Sequence, residues 1–150
     1  MSGLTGPTPA VAVIHLVATL MMAGLIVFVQ VVHYPLKARV GPEAFPGYQA
    51  GHTVRTSWVV VPLMLVELVS ALWLAAAPPT ASLRPVALLG ALLLGGVWIS
   101  TALLQAPAHG RLARGFDAAV HRRLVRSNWI RTLAWLGRVP VALALVLPAA

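Results

Sequence analysis

The chain of 150 residues is 59% hydrophobic and 9% charged, with eleven Lys and Arg against three Asp and Glu and no cysteine. Soluble domains are about 25% charged, so this chain has too little polar surface to cover a core that faces water. The apolar excess excludes intrinsic disorder, the missing cysteines exclude a disulfide scaffold and thiol chemistry, and a small integral membrane protein remains.

Four stretches reach the roughly 20 apolar residues needed to cross about 30 Å of hydrocarbon. Residues 9–32 carry no formal charge, residues 58–77 only Glu67, residues 86–106 none, and residues 129–150 only Arg131 and Arg138. Lipid offers the backbone no hydrogen-bonding partner, so each run is predicted to be helical. The fold class is therefore all-α, a polytopic four-helix transmembrane bundle in one integral membrane domain. Pro62 and Pro140 are expected to bend their helices without ending them. No Lys or Arg precedes the first run, and His33-Tyr34-Pro35 follows it instead of small residues, so it reads as a retained span and not a signal peptide. Residues 33–52, with three prolines and three glycines, read as a structured loop. Residues 110–127 read as a cytoplasmic amphipathic helix, lying at the membrane surface or continuing the third span, because Leu112, Phe116, Val120 and Leu124 recur every four residues among arginines. Gly95-Gly96 is expected to mark a close helix contact, and Met21, Met22 and Met64 to be ordinary apolar filling.

Charge sets the expected orientation. Lys37, Arg39, Arg55, Arg111, Arg114, Arg122, Arg123 and Arg126 lie in or beside the two longer connections, against Arg84 alone in the short one. Positive residues in short loops favour the cytoplasm, so the basic loops are expected inside and both termini outside a bacterial cytoplasmic (inner) membrane. The same bias accounts for the net charge of +8 and, with no recognition motif present, argues against nucleic-acid binding. Membrane lipids are the expected partners; a packed four-helix monomer leaves no room for a channel, and a homo-oligomer is compatible with the sequence.

The few polar groups inside the spans are more informative than the apolar majority. His15, Thr19, Met22, Ile26, Gln30 and His33 share one face of the first span, and His52, Thr56, Val59, Leu63, Glu67 and Ser70 one face of the second. Thr101, Gln105 and His109 line the third, and Asn128, Arg131, Trp135 and Arg138 the fourth. One polar stripe per helix predicts a shared interior, since exposing all four to lipid would be costly. At 1.5 Å per residue, Glu67 stands about 18 Å above Arg55 and Arg138 about 15 Å above Asn128. The two are thus predicted to form a buried ion pair near the membrane centre, for packing or for function.

A second cluster is expected at the cytoplasmic mouth: Gln30, His33, His52, Arg55, Gln105, His109, Asn128 and Arg131, with Asp117 and His121 folding over it. His33, His52 and His109 offer three imidazoles to a transition metal, although their spacing matches no metal signature. A haem held by His33 and His109 is a further reading, weakened by helix-end positions where water competes. A quinone or other lipophilic molecule would suit hydrogen bonds from Gln30, Gln105 and Asn128 beside Arg131 and Trp135.

The segment QAPAHGRLARGFDAAVHRRLVRSNWIRTLAW, Gln105 to Trp135, resembles part of small bacterial four-span membrane proteins that include the anthrone-oxygenase-like group. The nearest local likeness is Asn128-Trp129-Ile130-Arg131-Thr132, and the length and span count fit the same plan. The resemblance implies oxidation of an aromatic or polyketide-like substrate, with Asn128, Arg131 and His109 as the positions that carry over. Two functions are therefore expected. One is a membrane oxidoreductase acting on a lipophilic small molecule, with His33, His52, His109 and Arg131 as its catalytic groups. The other is a noncatalytic ligand-binding, transport or membrane-complex assembly protein.

Overall fold

The computed structural model describes residues 8–147, so residues 148–150 of the fourth predicted span lie outside the described residues. Four helices, each long and apolar enough to cross a membrane, succeed one another along the chain: α1 (Thr8–Lys37), α2 (Phe45–Ala76), α3 (Ala81–Leu112) and α4 (Ala118–Val146). Each packs against its neighbours in the chain, and α1 closes the bundle against α4; the seam between α2 and α3 is the most loosely packed. The architecture is that of a polytopic membrane protein. Leu92, Val69 and Leu103 stand outward and exposed on the circumference, while Glu67, Arg138, Gln105 and Asn128 are buried. That inverts the soluble arrangement and suits a lipid solvent.

The interior has three apolar layers: Ala12, Leu74, Ala87 and Leu145 at one end, Met22, Ile26, Met64, Leu94, Val97 and Trp135 at mid-depth, and Tyr34, Phe45, Leu112 and Leu124 at the other end. The 32 residues of α2 and of α3 correspond to about 48 Å of helix, well beyond a hydrocarbon core of about 30 Å. The bundle therefore continues past the apolar runs, and residues 33–52 are mainly helix end and helix start around a short turn, not an independent loop.

Two of the helices change pitch close to this end. In α1 the residues Val29–His33 form a π turn, closed by the Tyr34 N–H bonding to the Val29 carbonyl. In α3 the residues Thr101–Gln105 do the same, with the Ala106 N–H reaching the Thr101 carbonyl. A proline comes soon after each turn, Pro35 and Pro107. Proline has no N–H and its ring crowds the carbonyl four residues back, so the helix locally opens to a five-residue bond. The extra residue rotates the remainder of each helix and brings Tyr34 and His109 toward each other.

The amphipathic helix expected over residues 110–127 is not a separate element. Its first part ends α3 at Leu112 and its second part belongs to α4, which begins at Ala118. Gly115 takes φ +144°, a conformation that residues with a side chain rarely adopt, and it breaks the run between them. Asp117 then caps α4: its carboxylate accepts the N–H groups of Ala119 at 2.8 Å and Val120 at 3.0 Å. Those two backbone bonds, Val120 first, hold its carboxyl below the usual carboxylate range. Asp117 thus stays exposed as a helix cap and does not fold over the mouth.

The close glycine contact also differs from expectation. Added Cβ atoms at Gly95 and Gly96 would meet nothing within 4 Å, whereas one at Gly90 would stand 3.0 Å from Val141 Cγ1. Gly90→Val should destabilise the purified protein by about 1–3 kcal/mol through overpacking, and Val141→Ala should recover part of the loss. Gly96→Ala should leave thermal stability unchanged or raised. Melting curves of the variants in one detergent check all three.

Candidate functional site

The buried polar side chains form two connected layers. At mid-depth Arg138 Nη1 lies 2.6 Å from Glu67 Oε1, with both side chains 1% exposed or less. Glu67 Oε2 accepts the indole N–H of Trp135 at 2.9 Å. Arg138 Nη2 contacts His15 Nε2 at 3.3 Å, and His15 Nδ1 lies 2.7 Å from Ser70 Oγ. Arginine can only donate, so His15 Nε2 accepts and the ring proton sits on Nδ1, facing Ser70. Ser70 passes its own hydrogen to the Val66 carbonyl at 2.6 Å. The carboxylate is thus satisfied on both oxygens, the arrangement that lets a buried charge persist.

Trp135 connects this layer to the second. The Arg131 guanidinium carbon lies 5.1 Å from the centroid of the Trp135 ring, a cation–π contact. Below it, Asn128 donates to Gln30 Oε1 at 2.8 Å, and Gln30 donates to the Val125 carbonyl at 3.2 Å, joining α1 to α4. Gln105 accepts from Ser100 at 3.0 Å and donates to Ser127 at 3.3 Å, joining α3 to α4. His121 bonds the Tyr34 carbonyl at 2.9 Å. These side chains hold helix ends whose π turns have displaced the regular backbone ladder.

The histidines expected at the mouth do gather there, but in two sets. His33 Nε2 lies 2.9 Å from His52 Nδ1, while the rings are 4.5 Å apart and inclined by 24°. That geometry is as much a stack as a hydrogen bond, because imidazole lone pairs point in the ring plane. His52 Nδ1 also lies 3.0 Å from Thr56 Oγ1, and His52 Nε2 has no partner among the described residues. His109 is engaged at both nitrogens, by Tyr34 Oη at 3.0 Å and by Gln49 Nε2 at 3.1 Å. The His109 carbonyl, 3.4 Å from the same Gln49 nitrogen, can only accept, which fixes the amide orientation. His109 Nδ1 therefore accepts, Nε2 carries the proton toward Tyr34, and the Tyr34 hydroxyl is left free to donate elsewhere.

Among the described residues no group of three His, Cys, Asp or Glu side chains is arranged to hold a metal ion. For either a metal or a haem, His109 would first have to give up one of its two bonds. Arg55 is exposed and stands apart from the cluster.

A cavity of about 670 Å³ opens between α2 and α3, where the bundle is loosest. Met22, Ile26, Val60, Met64 and Trp98 form its apolar depth; Tyr34, His52, Thr56, Gln105, His109 and Arg131 supply its polar end. Val54 and Val61 on its rim are exposed on the lipid-facing circumference. His33, Gln30, Asn128 and Trp135 do not line it and act behind its walls.

Three site residues escape a reading of hydropathy and periodicity. Gln49 lies one turn before His52 and Thr53 on the same helix face, so extending the α2 stripe backwards would have found it. Tyr34 is brought inward by the π turn, for which the Pro35 and Pro107 positions were the available signal. Lys37, counted with the loop charges, is fully buried with Nζ 5.8 Å from the Tyr34 centroid.

Replacing Glu67 or Arg138 alone with Gln should cost about 3–5 kcal/mol, because each leaves a buried partner unpaired. The double replacement should cost clearly less than the two single losses together, with a coupling of about 1–3 kcal/mol in denaturant or thermal unfolding. Comparison of the chain with family models, with curated proteins and with solved structures finds no match.

Proposed function

We propose that this membrane protein takes a lipophilic small molecule from the bilayer into the cavity between α2 and α3 and oxidises it there, as an oxygenase-like oxidoreductase. The observation that carries this reading is the cavity itself, whose rim at Val54 and Val61 faces lipid, whose depth is apolar and whose polar end gathers His52, Tyr34, Gln105 and Arg131. The resemblance of Gln105–Trp135 to the anthrone-oxygenase-like group points to the same reaction class. The basic connections lie on the cytoplasmic side of a bacterial inner membrane in this reading, as the bias of positive residues favours.

The chemistry asks little of the protein beyond positioning and one base. His52 Nε2, free of other partners, takes the proton from an activated C–H next to the ligand's carbonyl. The electron pair left on carbon delocalises to the carbonyl oxygen, which the Tyr34 hydroxyl and Arg131 stabilise. Dioxygen is the oxidant: the CH2 group and O2 become a carbonyl group and one water, so two hydrogens leave carbon and both oxygen atoms are accounted for. No step is routed through a metal.

Carriage of the same lipophile without chemistry is the second reading, and it is favoured by the engagement of both His109 nitrogens within the protein. Oxygen uptake separates the two. With anthrone as probe, protein in lipid nanodiscs should consume O2 above the rate of empty discs, and His52→Gln should reduce that rate at least about 100-fold. Binding of anthrone with no added O2 uptake would leave carriage as the function.

A further inference from the structure

The chain has three carboxylate side chains. Glu67 is fully engaged by Arg138 and Trp135. Asp117 caps α4 at the surface, and Glu43 is exposed in the turn between α1 and α2. Eight of the eleven cations are exposed, and the three buried ones are Lys37, Arg131 and Arg138. Among the described residues, Arg138 alone of these three is paired with a carboxylate.

Arg131 is 7% exposed, forms no hydrogen bond with any described residue, and has a buried, unpartnered Nε. Its one compensating contact is the Trp135 face, and Trp135 is held in turn by Glu67. A cation–π contact is weaker than the penalty for taking a guanidinium out of water. The aromatic face therefore does not offset the burial. Lys37 leans on Tyr34 in the same way, but it does not line the cavity, whereas Arg131 does. The free Tyr34 hydroxyl adds a second donor at the same end.

We infer that the cavity holds its ligand as an anion: a delocalised oxyanion, either a carboxylate or an enolate of the kind left when His52 takes the proton, sits on Arg131 while its apolar body fills the space toward Met22, Met64 and Trp98. This deepens the proposed function and rests on the lipophile site described there. A guanidinium suits such a group because two parallel N–H bonds meet two oxygens that share one charge. Glu67 and Arg138 act as positioning residues, since they fix the ring against which Arg131 lies. The ion pair also keeps the nearby carboxylate from neutralising Arg131.

The test uses two matched pairs of probes and isothermal titration against protein in phosphatidylcholine nanodiscs, with empty discs subtracted. One pair is dodecanoate and methyl dodecanoate; the other is 2-hydroxy-1,4-naphthoquinone, ionised at neutral pH, and its 2-methoxy ether. In at least one pair the anion should bind about tenfold or more tightly than its neutral partner, and the pair that shows this identifies the body as aliphatic or planar. Arg131→Gln should abolish the preference, Arg131→Lys should keep part of it, and Arg122→Gln, on the exposed face, should leave it unchanged. Equal affinity for charged and neutral partners overturns the oxyanion while leaving the lipophile site in place. A preference that survives Arg131→Gln overturns the assignment to Arg131 and attributes it to the general positive charge. Binding of none of the four probes overturns the lipophile site itself.

Discussion

The pairing of Glu67 with Arg138 is the contact on which the interior depends. In a bundle surrounded by lipid, a buried cation is costly, and an acceptor within the protein or in something it holds offsets that cost. Glu67 is the only one of the three carboxylates inside the bundle, and it faces Arg138 and Trp135 together. Trp135 is thereby fixed with its face toward Arg131, and His15 and Ser70 are drawn into the same network from α1 and α2. All helices except α3 meet in this layer. The scarcity of acid then has a second effect, since it leaves Arg131 with no carboxylate at the wall of the cavity.

The cavity itself arises from the backbone. Pro35 and Pro107 remove one donor each from helices that would otherwise run straight, and a π turn precedes each of them. The π turns carry Gln30 and Gln105, whose side chains bond Asn128 and Ser127 and so tie both turns to α4. A site built on irregular helix turns lined by protein, with its mouth toward lipid, obeys the rule that a membrane interior tolerates freed backbone groups only where side chains or a cavity receive them.

Much of the architecture was legible in hydropathy. Four apolar runs predict four helices because lipid permits little else, and the polar stripes locate the interior. The helix ends were not legible in the same way. Hydropathy falls where charges begin, yet α2 starts at Phe45 and α4 at Ala118, since helix continues wherever packing and caps support it. The break near Gly115 lies inside a stretch with good helical period, and only its positive φ reveals that the period is interrupted. Likewise Gly90, and not the Gly95-Gly96 pair, meets a neighbouring helix, because the angular position of α3 depends on its partners and not on its own sequence. For the site, residue types and depth brought out Glu67, Arg138, His52, His109 and Arg131. Gln49, Tyr34 and Lys37 stayed hidden because their burial results from the bundle extending beyond its apolar runs.

The assignment of Arg131 as the buried cation open to a ligand, with Arg138 closed by Glu67, is directly observable. Nitrogen NMR of protein labelled with 15N-arginine in nanodiscs reads both guanidinium groups at once, with Arg131→Lys and Arg138→Lys used for assignment. On addition of dodecanoate or 2-hydroxy-1,4-naphthoquinone, the side-chain resonances of Arg131 should shift while those of Arg138 stay in place. Shifts at Arg138, or at the exposed arginines with Arg131 silent, would contradict it.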